Sequence, residues 1–99
     1  MNHSPSLVGS ALKAIASTPN RNFDNESYRI GVIEPAARIR SLDRDFSVQP
    51  LSTREVAEVV SLLRNILQAK QLPAEELRGR MLEILKAHDL LHLDTEFQR

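Results

Sequence analysis

Two consecutive amphipathic helix patterns occupy most of the second half of the chain and are joined by a short segment that contains a proline. In each pattern, large apolar residues recur at the spacing of one face of an α-helix. The connection at residues 71–73 is so short that the two helices are predicted to lie antiparallel as neighbours. Their apolar stripes must then be covered by each other, by the first half of the chain, or by another protein.

Helix-terminal signals set the boundaries of this predicted hairpin. Ser52 and Glu55 have the spacing of a capping box, in which each residue satisfies a backbone N–H group at the start of a helix. Pro73 suits the first position of the second helix, because its missing N–H is not needed there. The sequence therefore predicts an antiparallel helical hairpin with helices at about 53–70 and 73–92.

The first half of the chain has weaker patterns. Residues 1–26 are rich in Asn, Ser and Pro, which is typical of a flexible segment, and they include a helical pattern over about 5–16. We expect this short helix to order conditionally, on binding something. Within residues 28–50, the segments 28–33 and 46–50 alternate like strands. A short β-hairpin and an irregular extended segment both fit this pattern.

The predicted fold class is mainly α, and a small α+β domain is the alternative if residues 28–50 form strands. The predicted organisation is a flexible segment, 1–26, followed by a single small domain, 27–99. Ninety-nine residues are near the lower limit for burying an independent core, and only 4% of them are aromatic. A core this thin favours help from a partner or from a second copy of the chain.

Composition argues against several functional classes. The 13 basic and 13 acidic residues cancel, whereas a dedicated nucleic-acid binder usually has a basic excess. No apolar run approaches the roughly 20 residues of a membrane span. The absence of cysteine excludes disulfides and thiolate metal sites. We therefore expect a cytoplasmic protein with no cofactor, no membrane association and no small-molecule substrate.

One pair of histidines has the spacing of a metal site. His88 and His92 are four residues apart, so on a continuous helix they would share one face, and Asp89 follows the first of them as Glu does in zincin proteases. A catalytic zinc ion needs a third protein ligand, and none is obvious. The favoured interpretation is that His88 borders the apolar stripe and His92 is solvated, so no metal site is predicted.

Residues 51–60, Leu-Ser-Thr-Arg-Glu-Val-Ala-Glu-Val-Val, resemble the opening helix of many bacterial helix-turn-helix regulators. In that family a small residue opens the turn four positions after an alanine, and Ala57 and Ser61 match this offset. The resemblance implies a DNA-binding regulator that uses residues 52–70, with a break in the helix near Ser61. The apolar stripe continues past Ser61 without interruption, so this stays the alternative hypothesis.

The favoured hypothesis is a small non-enzymatic protein-interaction module, such as an adaptor, a chaperone-like protein or a regulatory factor. It would use apolar surface of the helical hairpin to bind another protein or a second copy of itself. The candidate partner-binding residues are the large apolar side chains of the two stripes: Val59, Leu63, Ile66, Leu77, Met81, Ile84 and Leu85.

Overall fold

The computed structural model describes residues 6–43 and 51–93, and all regular secondary structure in these ranges is helical. The helices are α1 (Leu7–Ser17), α2 (Asn25–Tyr28), α3 (Glu34–Ser41), α4 (Thr53–Ala69) and α5 (Ala74–Ala87). A π-helical segment, Arg29–Ile33, joins α2 to α3, so residues 25–41 form one unbroken helical stretch, which we call the 25–41 helix. The mainly α prediction is confirmed for the described residues.

The predicted strand at 28–33 is wrong, because these residues belong to the 25–41 helix. Asp24 caps its start by accepting a hydrogen bond from the Ser27 backbone N–H at 3.1 Å. Val32 is buried against the rest of the protein, so tertiary packing overrides the strand propensity of the β-branched residues. The second predicted strand, 46–50, lies outside the described residues, and no strand in the described ranges supports the α+β alternative.

Helix α1 is part of the core. The Ser6 hydroxyl caps it by accepting from the Gly9 N–H at 2.9 Å, and the helix contacts α3, α4 and α5. Its apolar side chains are buried: Leu7, Val8, Ala11 and Ile15. The core therefore crosses the predicted division between residues 1–26 and 27–99. That α1 orders only on binding a partner stays a prediction.

Helix α4 is the central element, since it contacts α1, α3, α5 and the π-helical segment. It begins with the predicted capping box. The Ser52 hydroxyl accepts from the Glu55 N–H at 3.1 Å, and the Glu55 carboxylate accepts from the Ser52 N–H at 2.9 Å. The helix ends at Ala69, close to the predicted boundary. Four residues, 70–73, then connect it to α5, which contacts α4.

Helix α5 is shorter than the predicted range of 73–92. Asp89 adopts the left-handed backbone conformation, with a φ of 57°. This conformation lets the Leu90 N–H donate to the Leu85 carbonyl at 2.7 Å, while the Asp89 N–H donates to the Lys86 carbonyl at 3.2 Å. The pair of bonds is the Schellman arrangement that closes helix C-termini. Residues 91–93 then form a single 3₁₀ turn.

The core is aliphatic, and no aromatic ring of the described residues is fully enclosed in it. Tyr28 packs at its edge, and Phe23 is exposed. The largest fully buried side chains come from α3, α4 and α5, and burial of each contributes about 1.5–3 kcal/mol: Ile39, Leu63, Ile66, Leu67 and Leu85. Within the described ranges, every helix is too short or too polar to cross a membrane.

Replacing Gly79 with alanine is expected to stabilise the protein by about 1 kcal/mol, because glycine is a poor helix former. Gly79 lies exposed within α5, and no heavy atom is within 4 Å of the position that its Cβ would occupy. The midpoint of urea unfolding should therefore rise. A lower midpoint would mean that another group packs closely on this side of α5.

Candidate interaction surface

The structure places most of the predicted partner-binding residues inside the molecule. Six of the seven are buried, and only Leu77 is partly exposed: the buried ones are Val59, Leu63, Ile66, Met81, Ile84 and Leu85. The stripes were correctly assigned to helix faces, but α1 and the 25–41 helix pack against α4, and α1 also contacts α5. In this arrangement the six buried side chains belong to the protein's own core.

The helix-turn-helix interpretation of residues 52–70 is wrong. Helix α4 continues from Thr53 to Ala69 without a break, so Ser61 lies in the middle of a helix and opens no turn. A helix-turn-helix motif needs two separate helices, one of which enters the major groove. The apolar stripe that continues past Ser61 was the correct signal.

The two histidines do not share a helix face. Because α5 ends at Ala87, His88 is its C-cap residue and His92 lies in the 3₁₀ turn. The Nε2 atom of His88 lies 2.8 Å from the hydroxyl oxygen of Ser10, which links α5 to α1. No group of three potential metal ligands occurs in the parts of the chain that the structure describes. The helical spacing that motivated the zinc hypothesis is therefore not present.

Large apolar side chains are exposed mainly in one stretch of the chain. Four such side chains are exposed among the described residues, and three of them lie between positions 23 and 33. Phe23 is 88% exposed, and Ile30 and Ile33 are each 53% exposed. We call these three side chains the 23–33 face. The three residues lie within eleven positions of the chain, and contiguous apolar surface mostly marks interaction sites, whereas single exposed apolar residues are ordinary.

The backbone beside Phe23 is fixed by Asn22, which is only 4% exposed. The side-chain amide nitrogen of Asn22 donates to the Ala69 carbonyl at 3.0 Å and to the Ser27 hydroxyl at 2.9 Å. Its side-chain oxygen accepts from the Asp24 N–H at 3.1 Å. These bonds anchor the residues on both sides of Phe23 to α4 and α2. The phenyl ring is thus held in solvent by an ordered backbone.

The π-helical segment packs closely against α4 and includes two exposed isoleucines. It approaches α4 so closely that a Cβ atom on Gly31 would lie 2.7 Å from the Cβ of Ala69. On this segment Val32 is buried, whereas Ile30 and Ile33 are exposed on the outer side of the 25–41 helix. π-Helical turns are rare and are often found at functional sites.

The charged residues around the 23–33 face are paired with each other. The Arg29 guanidinium bonds both Glu26, at 2.6 Å, and Glu34. The hydrogen bond that Arg29 donates to Glu26, followed by the charge of Glu34, raises the pKa of Arg29 above its ordinary value. One arginine is thus shared by two glutamates, so the apolar side chains lie beside a small ion-paired cluster that carries one net negative charge.

A second ion pair fastens the same helix to α4. The Arg38 guanidinium donates to both carboxylate oxygens of Glu58, at 2.6 and 3.0 Å. This bond, which is the largest influence on the carboxylate, lowers the pKa of Glu58. The 25–41 helix is thus joined to α4 by Arg38 near one end and by the Gly31 contact in its middle.

The 23–33 face is not among the surfaces that the sequence predicts, although part of its signal is local. Tyr28, Val32, Ala36 and Ile39 recur at helical spacing, and Asp24 is a good N-cap residue before them. The alternation within 28–33 predicts a strand instead, and Ile30 and Ile33 fall in that predicted strand.

Comparisons with known proteins give no identification. No protein-family model matches the chain, and no curated protein and no solved structure is significantly similar to it. The function is therefore inferred from the surface and the fold.

Proposed function

We propose that the chain is a small non-enzymatic protein-interaction module, an adaptor, chaperone-like protein or regulatory factor that acts in the cytoplasm. The 23–33 face is its docking surface. The observation that supports this proposal is the exposure of Phe23 and two isoleucines on an anchored backbone. Apolar and aromatic side chains surrounded by polar groups are the usual centre of a protein–protein interface.

The anchoring lowers the cost of binding. Ordering a flexible loop on association consumes part of the interaction free energy, whereas a preformed surface avoids this cost. Here Asn22 fixes the backbone before the 25–41 helix, and the contact between Gly31 and Ala69 fixes its middle. The paired charges of Arg29, Glu26 and Glu34 then suit a polar rim.

In this proposal, α4 and α5 are the scaffold of the module. The connection over residues 70–73 is short enough for the two helices to form the antiparallel hairpin that the sequence predicts. The apolar stripe of α4 supports the 25–41 helix from inside the molecule, and α5 packs against α4 and α1. The proposed docking surface therefore does not consist of the seven predicted residues. It consists of Phe23 and of Ile30 and Ile33 on the 25–41 helix, which covers α4.

Site-specific photocrosslinking tests this function. A photoreactive amino acid at position 30, introduced in cells that express the full chain, is expected to yield a protein adduct. The same group at Ala16, an exposed position on α1, should not do so. Serine at Phe23 and Ile33 should reduce the adduct strongly, since loss of one hot-spot side chain costs at least about 2 kcal/mol, or roughly 30-fold in affinity.

Leu91 supplies the matched control for these substitutions, because it is also a large exposed apolar residue but lies in the 3₁₀ turn after α5. Leu91→Ser should leave the adduct at position 30 unchanged. Equal labelling at positions 30 and 16, or none at position 30, would refute the proposed docking surface.

A further inference from the structure

We infer that the partner of the 23–33 face is a second copy of this chain, with the two 25–41 helices packed antiparallel around a two-fold axis that passes between Ile30 and Ile33. This inference rests on the proposed function and names its partner. In a two-fold interface the same surface meets itself, so that residue i of one copy contacts residue j of the other and the reverse. The pattern of residues around this centre fits such an arrangement.

Ile30 and Ile33 form the apolar centre of the proposed pairing. Antiparallel pairing around the midpoint of positions 30 and 33 places each Ile30 opposite the second copy's Ile33. Both side chains are 53% exposed in the single copy, and both lie on the outer side of the helix. The pairing therefore removes four exposed isoleucine side chains from water in one symmetric contact.

Arg29 and Glu34 have opposite charges that match across the proposed interface. The same register places Arg29 opposite the second copy's Glu34, and Glu34 opposite the second copy's Arg29. Within one copy these two residues are already bonded to each other, and both are exposed, so the pair can be formed between copies without uncovering a charge. A parallel pairing in register would instead place each Arg29 against another Arg29 and each Glu34 against another Glu34, which is repulsive.

Phe23 lies at the end of the proposed interface, just before the 25–41 helix begins. The position that pairs with residue 23 in this register is Arg40, an exposed residue near the end of α3, so the second copy's Arg40 lies at the same end of the interface as Phe23. A guanidinium group over an aromatic ring is a favourable cation–π pair. Arg40 lies seven residues after Ile33 on the same helix, so it shares the side of the helix that bears the face.

The formal net charge of zero favours association of identical copies, because no long-range repulsion opposes it. The contact is small, since it involves one helix from each copy. Interfaces that bury less than about 1,200 Å² in total belong to weak and transient complexes. We therefore expect a reversible dimer that is detected at high protein concentration and dissociates on dilution.

Sedimentation velocity of the full chain over a dilution series, combined with a charge exchange, tests this pairing. In Arg29→Glu, two glutamates face two glutamates across the interface, and in Glu34→Arg, two arginines face two arginines. Each variant alone is expected to be monomeric where the wild type dimerises. In an equimolar mixture the two variants should form a heterodimer, because residue 29 of each variant then faces an oppositely charged residue 34 in the other. Glu75→Arg on α5, a charge reversal away from the face, should dimerise as the wild type does.

The sedimentation and photocrosslinking results together distinguish a failure of the second-copy pairing from a failure of the proposed docking surface. A mixture that stays monomeric, while circular dichroism shows both variants folded, overturns the pairing register. A wild type that is monomeric at every concentration overturns the second copy as partner. In that case an adduct at position 30 with a different protein would leave the proposed function standing, whereas no adduct would refute both. Restored dimerisation in the mixture supports the inference, since a purely structural effect of either substitution would not be reversed by mixing.

Discussion

Replacing Gly31 with alanine is expected to destabilise the protein by about 2–3 kcal/mol, because overpacking at a close contact forces the backbone to shift. The new Cβ would lie 2.7 Å from the Cβ of Ala69, a separation that van der Waals repulsion does not allow. The π-helical segment would have to move away from α4 and would loosen the packing of Val32, which is 2% exposed. Urea unfolding monitored by circular dichroism measures the loss.

A double-mutant cycle attributes this loss to the contact itself. Ala69→Gly alone is expected to cost about 1 kcal/mol, since glycine is unfavourable in a helix. The double variant Gly31→Ala/Ala69→Gly should nevertheless be more stable than Gly31→Ala, because the second substitution removes the clashing methyl group. Gly79→Ala makes the same chemical change at an open helical site and should be stabilising. Additive effects at positions 31 and 69 would contradict the close approach.

The helices of the second half could be predicted because their signals are local. Ser52 and Glu55 form the capping box that their spacing indicated, and the stripe through Leu63 and Ile66 faces the core as one side of α4. Whether a stripe is covered by the chain itself or by a partner is not a local property. It depends on α1, whose apolar residues lie in a segment with the composition of a flexible terminus.

The position of the 23–33 face could not be predicted for a related reason. Ile30 and Ile33 are exposed while Val32 is buried, because the helical segment that carries them packs against α4 at the contact between Gly31 and Ala69. These two residues are far apart in sequence, and no sequence feature near Gly31 predicts that it contacts Ala69. In a short window, β-branched residues also alternate as strands do, so the helical spacing from Tyr28 to Ile39 was the weaker signal.

Replacing Lys70 with methionine is expected to destabilise the protein by about 2 kcal/mol. Hydrogen bonds from a charged donor contribute roughly 1.5–3 kcal/mol. The cost of burying the charge offsets part of this contribution. The Lys70 ammonium is 4% exposed and donates to the carbonyls of Ile15, at 2.6 Å, and Thr18, at 3.0 Å. These carbonyls are at the C-terminal end of α1, where a cation also complements the helix dipole. Methionine keeps the apolar stem but leaves both oxygens without this donor.

The same substitution is expected to change how stability depends on pH. Burial, and secondarily the charge of Arg80, lowers the pKa of Lys70 below its ordinary value of 10.5. The unfolded chain therefore binds this proton more tightly than the folded protein does, so the free energy of unfolding rises as pH rises between the lowered pKa and 10.5.

Unfolding in urea at a series of pH values across this window should show the rise in the wild type. It should also show the rise in Lys86→Met, which removes an exposed lysine of α5. Lys70→Met should lack this contribution, so the wild type's advantage over it should widen toward alkaline pH. A constant difference between the two proteins would mean that Lys70 is solvated, and that the end of α1 is not held by a buried ammonium.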